Sequence, residues 1–475
     1  MEQASKGAKS VKLYSPLFEG KRATIIGLAR EGTALARFLA EQGAIVTVSD
    51  LKNEKELQEN ITKLKAFPIR FVFGGHPGEI LNQTDVLFLS PGVPLEAPIV
   101  VKARRQGIPI SSETNLFTEL CPAPIIGITG SSGKTTTVSL VGQMLKASGF
   151  RTWVGGNIGQ PLIGHLEEIG PTNKVVMELS SFQLEIMEWS PPIAAILNIT
   201  PNHLDRHSSM EAYAEAKINI LRFQQPGDVA VLGYDLQITN LKSQISNLQS
   251  RIVSFSLKEE VEQGAFLRDG EIILRLGYTE QRICSADEIK LLGRHNLENV
   301  LAACTIAAVA GASRQAMADV ATSFEGVEHR LELVQELGGV RYYNDSIATS
   351  PERTVAALRS FDQPIVLLAG GRDKHLPWDE MARLTLEKVR RLVLFGEAAP
   401  IIEEAIRVSR FAFRVSRDLE EFVHRCQTLD EAVEAAAREA QPGDVVLLAP
   451  GGTSFDAFSD FAERGERFRE LVKAL

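Results

Sequence analysis

Short apolar runs recur along the whole chain, each ending in glycine or a small polar residue and each followed by a helical spacing of apolar positions. They fall at Ala23–Ile26, Ile45–Val48, Val86–Leu89, Cys121–Ile126, Val175–Leu179, Ile193–Ile199, Val229–Leu232, Ile365–Ala369, Leu392–Phe395 and Val445–Ala449. Buried strands alternating with amphipathic helices predict mostly parallel sheets covered by helices. The stretch from Ile238 to Arg282 is more polar and alternates, which predicts a peripheral antiparallel patch. "GRHNLENVLAACTIAAVAGA" (293–312) is apolar on nearly every face and predicts a buried central helix. The pattern breaks near 120 and 326, giving three expected blocks, 1–120, 121–326 and 327–475, with no internal repeat or low-complexity tract.

A chain of 475 residues suits about three domains. No apolar run reaches the roughly 18 residues of a membrane span, and "MEQASKGAKSVK" lacks the apolar core of a signal peptide, so a cytoplasmic protein without membrane insertion is expected. A formal charge of -9 removes the basic face that broad nucleic-acid binding requires. Cys121, Cys284, Cys304 and Cys426 stand far apart without CxxC spacing and are expected to be buried free thiols.

Candidate chemistry sits at the strand ends. In the first block Gly27 and Gly32 open a helix and Asp50 closes the second strand, half of a dinucleotide fingerprint. Ala29 stands where the second glycine would let a pyrophosphate approach, which weakens a nicotinamide reading. "DVLFLSPGVP" ends a further strand in Ser90-Pro91-Gly92. In the second block "GITGSSGKTTT" lacks the outer glycine of the full phosphate-loop pattern, at Ile128, but keeps Gly130-Ser131-Ser132-Gly133-Lys134-Thr135 between a strand and a helix. Exposed backbone N–H groups, the helix terminus, Lys134 and the Thr135 hydroxyl then suit a nucleotide phosphate chain with Mg²⁺. Glu178 ends a buried strand, where a carboxylate calls for a cation. "NITPNHLDRH" delivers His203, Asp205 and His207, a fragment of a zinc hydrolase pattern without its remaining ligands. By composition Lys217, between alanines, reads as a solvated helix lysine.

Together these pieces resemble the Mur ligase family of peptidoglycan synthesis: TGSSGKTT (129–136), GGNIG (155–159), ELSSFQLE (178–185), NITPNHLDRH (198–207), YAEAK ending at Lys217, GRHNLENVLAA (293–303), EHR ending at Arg330 and NDS (344–346). NDSIATSPERT, AGGRDK and APGGTSFDAFSDFAERG are similar to the D-glutamate-adding branch, and the DNPR signature of the diaminopimelate-adding branch is absent. Folylpolyglutamate synthases, the alternative, share the glycine loop but not such an N-terminal nucleotide domain. The resemblance implies a three-domain α/β protein: a Rossmann-like N-terminal domain for the UDP-sugar, a central P-loop ATPase-type parallel-sheet domain, and a Rossmann-like C-terminal domain for the incoming amino acid. It implies a monomer that joins D-glutamate to UDP-N-acetylmuramoyl-L-alanine using ATP and Mg²⁺ through an acyl phosphate.

Residue by residue, it assigns the ATP phosphates to Gly130–Thr136, including Lys134, Thr135 and Thr136, the adenine to Asn299, the ribose to Asp345 and the phosphate chain also to Arg330. Thr135, Glu178 and His203 would hold Mg²⁺, beside Lys217 as a carbamylated lysine, with Lys134, His203, Lys217 and Arg330 serving catalysis. Asp50, Lys52, Ser90, Pro91 and Gly92 would bind the uridine diphosphate sugar, with Asn157 and His203 towards its distal end. Thr349, Lys374, Ser454, Phe455 and Phe461 would form the D-glutamate pocket. Ile347 stands where many such members have lysine, so any charge contact there is expected to be lost, and the Asp50-Leu51-Lys52 loop lacks an arginine often seen nearby.

Overall fold

The computed structural model describes residues 18–200, 209–238, 248–374, 376–413 and 418–475. They form three sheets. The first has β1 (Arg22–Ile26), β2 (Ile45–Asp50), β3 (Arg70–Phe73), β4 (Val86–Leu89) and β5 (Ile110–Ser111), all parallel in the order 3-2-1-4-5. The order reverses between β1 and β4, so their carboxyl ends open a crevice of the kind that binds nucleotides. Helix α1 (Arg30–Glu41) follows β1 directly and buries Leu35, Ala36 and Leu39 against the sheet, the spacing of a single helical face.

The second sheet has nine strands: β6 (Ile125–Thr129), β7 (Thr152–Gly156), β8 (Lys174–Glu178), β9 (Ile193–Ile196), β10 (Val229–Gly233), β11 (Arg251–Ser256), β12 (Gly264–Arg268), β13 (Glu271–Leu276) and β14 (Thr279–Ser285), in the order 14-13-12-11-10-9-6-8-7. Every residue of β6 is buried, because it lies between β8 and β9 with helices on both faces. Burying each of its isoleucines contributes roughly 1.5–3 kcal/mol. The expected peripheral antiparallel patch holds in part: β12, β13 and β14 pair antiparallel at the edge of this sheet, but β11 and β12 extend it in parallel, so β13 alone runs against its direction. Alternation reports one solvated face, not strand direction, which is why the pattern misled. Helix α2 (Lys134–Ala147) leaves the β6 loop, α3 (Met210–Ile218) lies further along, and α4 (Arg294–Val309) buries Val300–Cys304, Ile306 and Ala307 as its all-round apolar pattern predicts.

The third sheet combines β15 (Glu332–Leu337), β16 (Val340–Asn344), β17 (Ile365–Gly370), β18 (Val389–Phe395), β19 (Val423–Arg425) and β20 (Val445–Gly451) in the order 15-16-20-17-18-19, parallel except for β15. Helix α5 (Phe461–Lys473) starts at Asp460, whose side chain accepts from the Glu463 N–H. Packing divides the chain into two compact units. The first holds the first two sheets, up to Asp287, with Glu298–Thr322; the second holds Glu288–Leu297 and Ser323–Leu475. All four cysteines are free thiols, Cys284 and Cys304 buried but Cys121 and Cys426 only half-buried. No helix among the described residues is long and apolar enough to cross a membrane.

Candidate active site

In the first unit the loop after β6 is held by its own neighbours. Gly133, at the N-cap of α2, has φ +79°, and an added Cβ would overlap the Asn299 amide of α4. Only glycine permits both that backbone and that contact. The Ser132 N–H and hydroxyl donate to Asn198 Oδ1 at 2.9 and 3.3 Å, Ser131 Oγ donates to the Thr200 carbonyl at 2.9 Å, and Tyr213 and Ser131 hydroxyls meet at 3.1 Å. Lys134 Nζ curls over the loop, donating to the carbonyls of Gly130 (2.9 Å) and Ser131 (3.4 Å).

Glu178 closes β8 and is 2% exposed. Its oxygens accept from Thr135 Oγ1 and Asn157 Nδ2, each at 2.8 Å, and its carbonyl accepts from the Asn157 N–H at 2.8 Å. Two hydrogen bonds from uncharged donors therefore orient the carboxylate, and the third fixes the strand end that carries it. Lys217 on α3 is 1% exposed, so the solvated-lysine reading from composition is overturned. Its Nζ donates to the Gly130 carbonyl at 3.0 Å and Thr129 Oγ1 at 3.4 Å, and lies 4.7 Å from the Tyr213 ring. Burial, then the Lys134 charge, push the Lys217 amine down to about 7 against the opposing pull of Glu178. An amine neutral for part of the time near pH 7 is a nucleophile, which an ordinary lysine is not. The Thr135 hydroxyl and Glu178 carboxylate are hard oxygen donors beside a phosphate loop and fit Mg²⁺; His203, Asp205 and His207 lie outside the described residues.

At the first sheet's crevice, Asp50 accepts the Leu28 N–H (2.7 Å) and the Lys52 N–H (2.9 Å), fixing the loop after β1, while Ser90 Oγ donates to the Gly27 carbonyl at 3.1 Å. Ser90 and Pro91 line a recess with Phe182 and Gln183 of the central sheet's helix Ser181–Glu185. Two buried carboxyls here escaped sequence reasoning. Gln183 Nε2 donates to Glu31 Oε1 and Thr114 Oγ1, both at 3.1 Å, and the Ile163 N–H approaches Glu113 Oε1 at 3.4 Å. Burial lifts Glu31 to about 7, and burial plus the Glu31 charge lift Glu113 to about 8, with Arg30 opposing both.

In the second unit, Arg330 sits between His329 and Leu331, both at positive φ. The Leu331 N–H donates to Asp345 Oδ1 at 3.1 Å; burial lifts Asp345 to about 6 against the Arg330 charge. Around the carboxyl ends of β16, β17 and β20 lie Thr349, Lys374, Ser454 and Phe461, with Lys374 Nζ 3.4 Å from Thr349 Oγ1. Ser454 is buried, whereas Phe455 is 60% exposed and Phe461 partly so. At the lysine-less position, Arg353 Nη1 donates to the Ile347 carbonyl at 2.9 Å, so a cation still stands beside it. Arg464, which sequence reading did not single out, is fully buried, and burial lowers its guanidinium to about 10.

Three family profiles match in order: "Mur ligase MurD-like, N-terminal domain" over 21–112, "Mur ligase middle domain" over 128–307 and "Mur ligase, glutamate ligase domain" over 329–452. The chain is 43% identical over 462 residues to UDP-N-acetylmuramoylalanine--D-glutamate ligase of Acetivibrio thermocellus, covering 97% of this chain and 98% of the relative. The chain belongs to the Mur ligase family. This Mur ligase is also 45% identical over 457 residues to the enzyme of the same name from Symbiobacterium thermophilum, covering 96% and 98% of the two chains. Among solved structures, UDP-N-acetylmuramate-alanine ligase MurC of Thermotoga maritima matches at TM-score 0.59 and 19% identity over 95% of this Mur ligase and 99% of that chain, a likeness of fold.

Proposed function

We propose that this Mur ligase joins D-glutamate to UDP-N-acetylmuramoyl-L-alanine at the expense of ATP, in cytoplasmic peptidoglycan precursor synthesis, as a monomer. The names of relatives 40–45% identical over nearly the full chain support the substrates. The observation that carries the chemistry is the cluster around one phosphate-type loop: half-buried Lys134 and Thr135 from the loop, with buried Glu178 at the end of β8 and buried Lys217 on α3.

Gly130–Thr136 hold the ATP phosphates and Asn299 the adenine; in the second unit, Arg330 and Asp345 are assigned to the phosphate chain and ribose. Thr135 and Glu178 would hold Mg²⁺, together with His203. When bound, Mg²⁺ offsets the negative charge that gathers as a carboxylate meets a triphosphate. Lys217 takes up CO₂: the ammonium first gives up a proton, the lone pair of the neutral amine attacks carbon as one C=O π pair moves to oxygen, an N–C bond forms and a second proton leaves nitrogen, so a buried cation becomes an anion among cations. The terminal alanine carboxylate then attacks the γ-phosphorus and ADP leaves. The D-glutamate amine attacks the resulting acyl phosphate at carbon, phosphate leaves, and one proton is released. Lys134 and Arg330 lower the repulsion between the reacting anions. Asp50, Lys52 and the Ser90-Pro91-Gly92 turn position the uridine nucleotide, Asn157 the distal sugar, and Thr349, Lys374, Ser454, Phe455 and Phe461 the amino acid. A ligation assay offering the nucleotide sugar, ATP and Mg²⁺ with D-glutamate, L-glutamate, D-aspartate and diaminopimelate tests this reading. D-glutamate should be consumed with stoichiometric ADP and phosphate; preference for any of the others overturns the substrate assignment.

A further inference from the structure

Arg464 is 0% exposed, the largest fully buried side chain among the described residues. Its Nε donates to Ser346 Oγ at 3.0 Å, Nη2 to the Ser346 carbonyl at 2.9 Å, and Nη1 and Nη2 to the Gly452 carbonyl at 3.2 and 3.3 Å. Ser346 Oγ passes the link on by donating to the Phe461 carbonyl at 2.7 Å. The guanidinium also packs on Gly371, where an added Cβ would lie 2.8 Å from Nη1. Each of these contacts lies just upstream of a residue assigned to the amino acid: Ser346 before Thr349, Gly371 before Lys374, Gly452 before Ser454, and Phe461 itself at the start of α5.

The charge makes this more than a clamp. The hydrogen-bond partners of the guanidinium among the described residues are carbonyls and a hydroxyl, and no carboxylate lies within ion-pair distance of it; Asp456 alone acts on it from further off. Burying an unpaired cation is costly, and an apolar side chain of similar volume would fill the space without that cost. A dicarboxylate bound at the surrounding loops would be the missing counter-charge.

We propose that Arg464 is a positioning residue of the amino-acid site: it ties together the four segments that present Thr349, Lys374, Ser454 and Phe461, and it keeps a positive charge behind them for the incoming dicarboxylate. The inference rests on the D-glutamate reading above. Arg464→Met keeps the bulk and removes the charge and the bonds; Arg464→Lys keeps the charge but not the planar fork. Steady-state KM for D-glutamate, ATP and the nucleotide sugar, with kcat, are measured for both variants and the unaltered enzyme. Arg464→Met should raise the D-glutamate KM at least tenfold and leave the other two within twofold, and Arg464→Lys should fall between it and the parent. If Arg464→Met does not fold, Arg464→Lys alone should raise the D-glutamate KM threefold or more, again selectively. A D-glutamate KM within twofold of the parent in the folded variant, or equal rises in all three KM values, overturns the proposal. If the unaltered enzyme does not ligate D-glutamate, the substrate reading falls first and takes the inference with it, an outcome distinct from the variant results.

Discussion

Glu113→Gln should make this enzyme more stable in alkaline solution and leave it nearly unchanged in acid. The carboxyls of Glu31 and Glu113 are buried together, and Glu31 Oε2 has no hydrogen-bond partner. A carboxyl raised on folding is protonated in both states below its ordinary value, so it costs nothing there. As the pH climbs past 4.5 the unfolded chain ionises first and stability falls, until the folded carboxyl itself ionises near pH 8. Moving Glu113 from 4.5 to about 8 sets an upper bound of about 5 kcal/mol on that loss, at ~1.4 kcal/mol per pH unit. Because Glu31 supplies part of the rise and itself relaxes when its neighbour is neutral, a gain of about 2 kcal/mol for the variant at pH 9 is the working figure. Glutamine keeps an oxygen for the Ile163 N–H and adds donors that can face Glu31, so nothing new is orphaned. Urea unfolding followed by tryptophan fluorescence at pH 5 and pH 9 measures it, Trp153 and Trp189 reporting on the first unit. A stability difference of equal size at the two pH values, or a larger gain at pH 5, would show that ionisation of Glu113 is not what limits alkaline stability.

Lys134→Ala should lower ligation at least 100-fold with an unchanged circular-dichroism spectrum, since the side chain caps a surface loop and its loss removes charge stabilisation, not core packing; retention of more than about a tenth of the activity would contradict that role. Lys217→Ala should be nearly inactive and partly recovered by added formate or acetate, which restore an anion at the vacated position, and recovery by methylamine instead would show that the ammonium is what matters.

The parts of the molecule legible in the sequence are those governed by local rules. A fully buried strand, a glycine turn and Lys-Thr stand consecutively at 125–135, so the strand, loop and helix start could be read in one pass. Glu178 was legible because a carboxylate after Val175-Val176-Met177 conflicts with its surroundings. Lys217 was not: alanines flank it, so no periodicity distinguishes its buried face. Arg464 lies in "AERGERFRE", whose charges are mostly solvated, and only the junction of three strand ends buries it. Glu31 and Glu113 stand 82 positions apart, and neither announces the other. Direction within β11–β14 likewise depends on partners that alternation does not encode.

The close backbone contacts around Arg464 also bear on how such an enzyme could change its diet over evolutionary time. At Gly371 and Gly452 one loop runs against the carbonyls of the next, so that any side chain there would collide with main chain that cannot retreat. The course of the loops is therefore nearly closed to variation, and a lineage shifting to another amino acid would have to do so by exchanging the side chains the loops carry. Historical changes of specificity on this scaffold should then leave the glycines untouched and accumulate at Thr349, Lys374, Ser454 and Phe455, a pattern that reconstruction of ancestral sequences can examine.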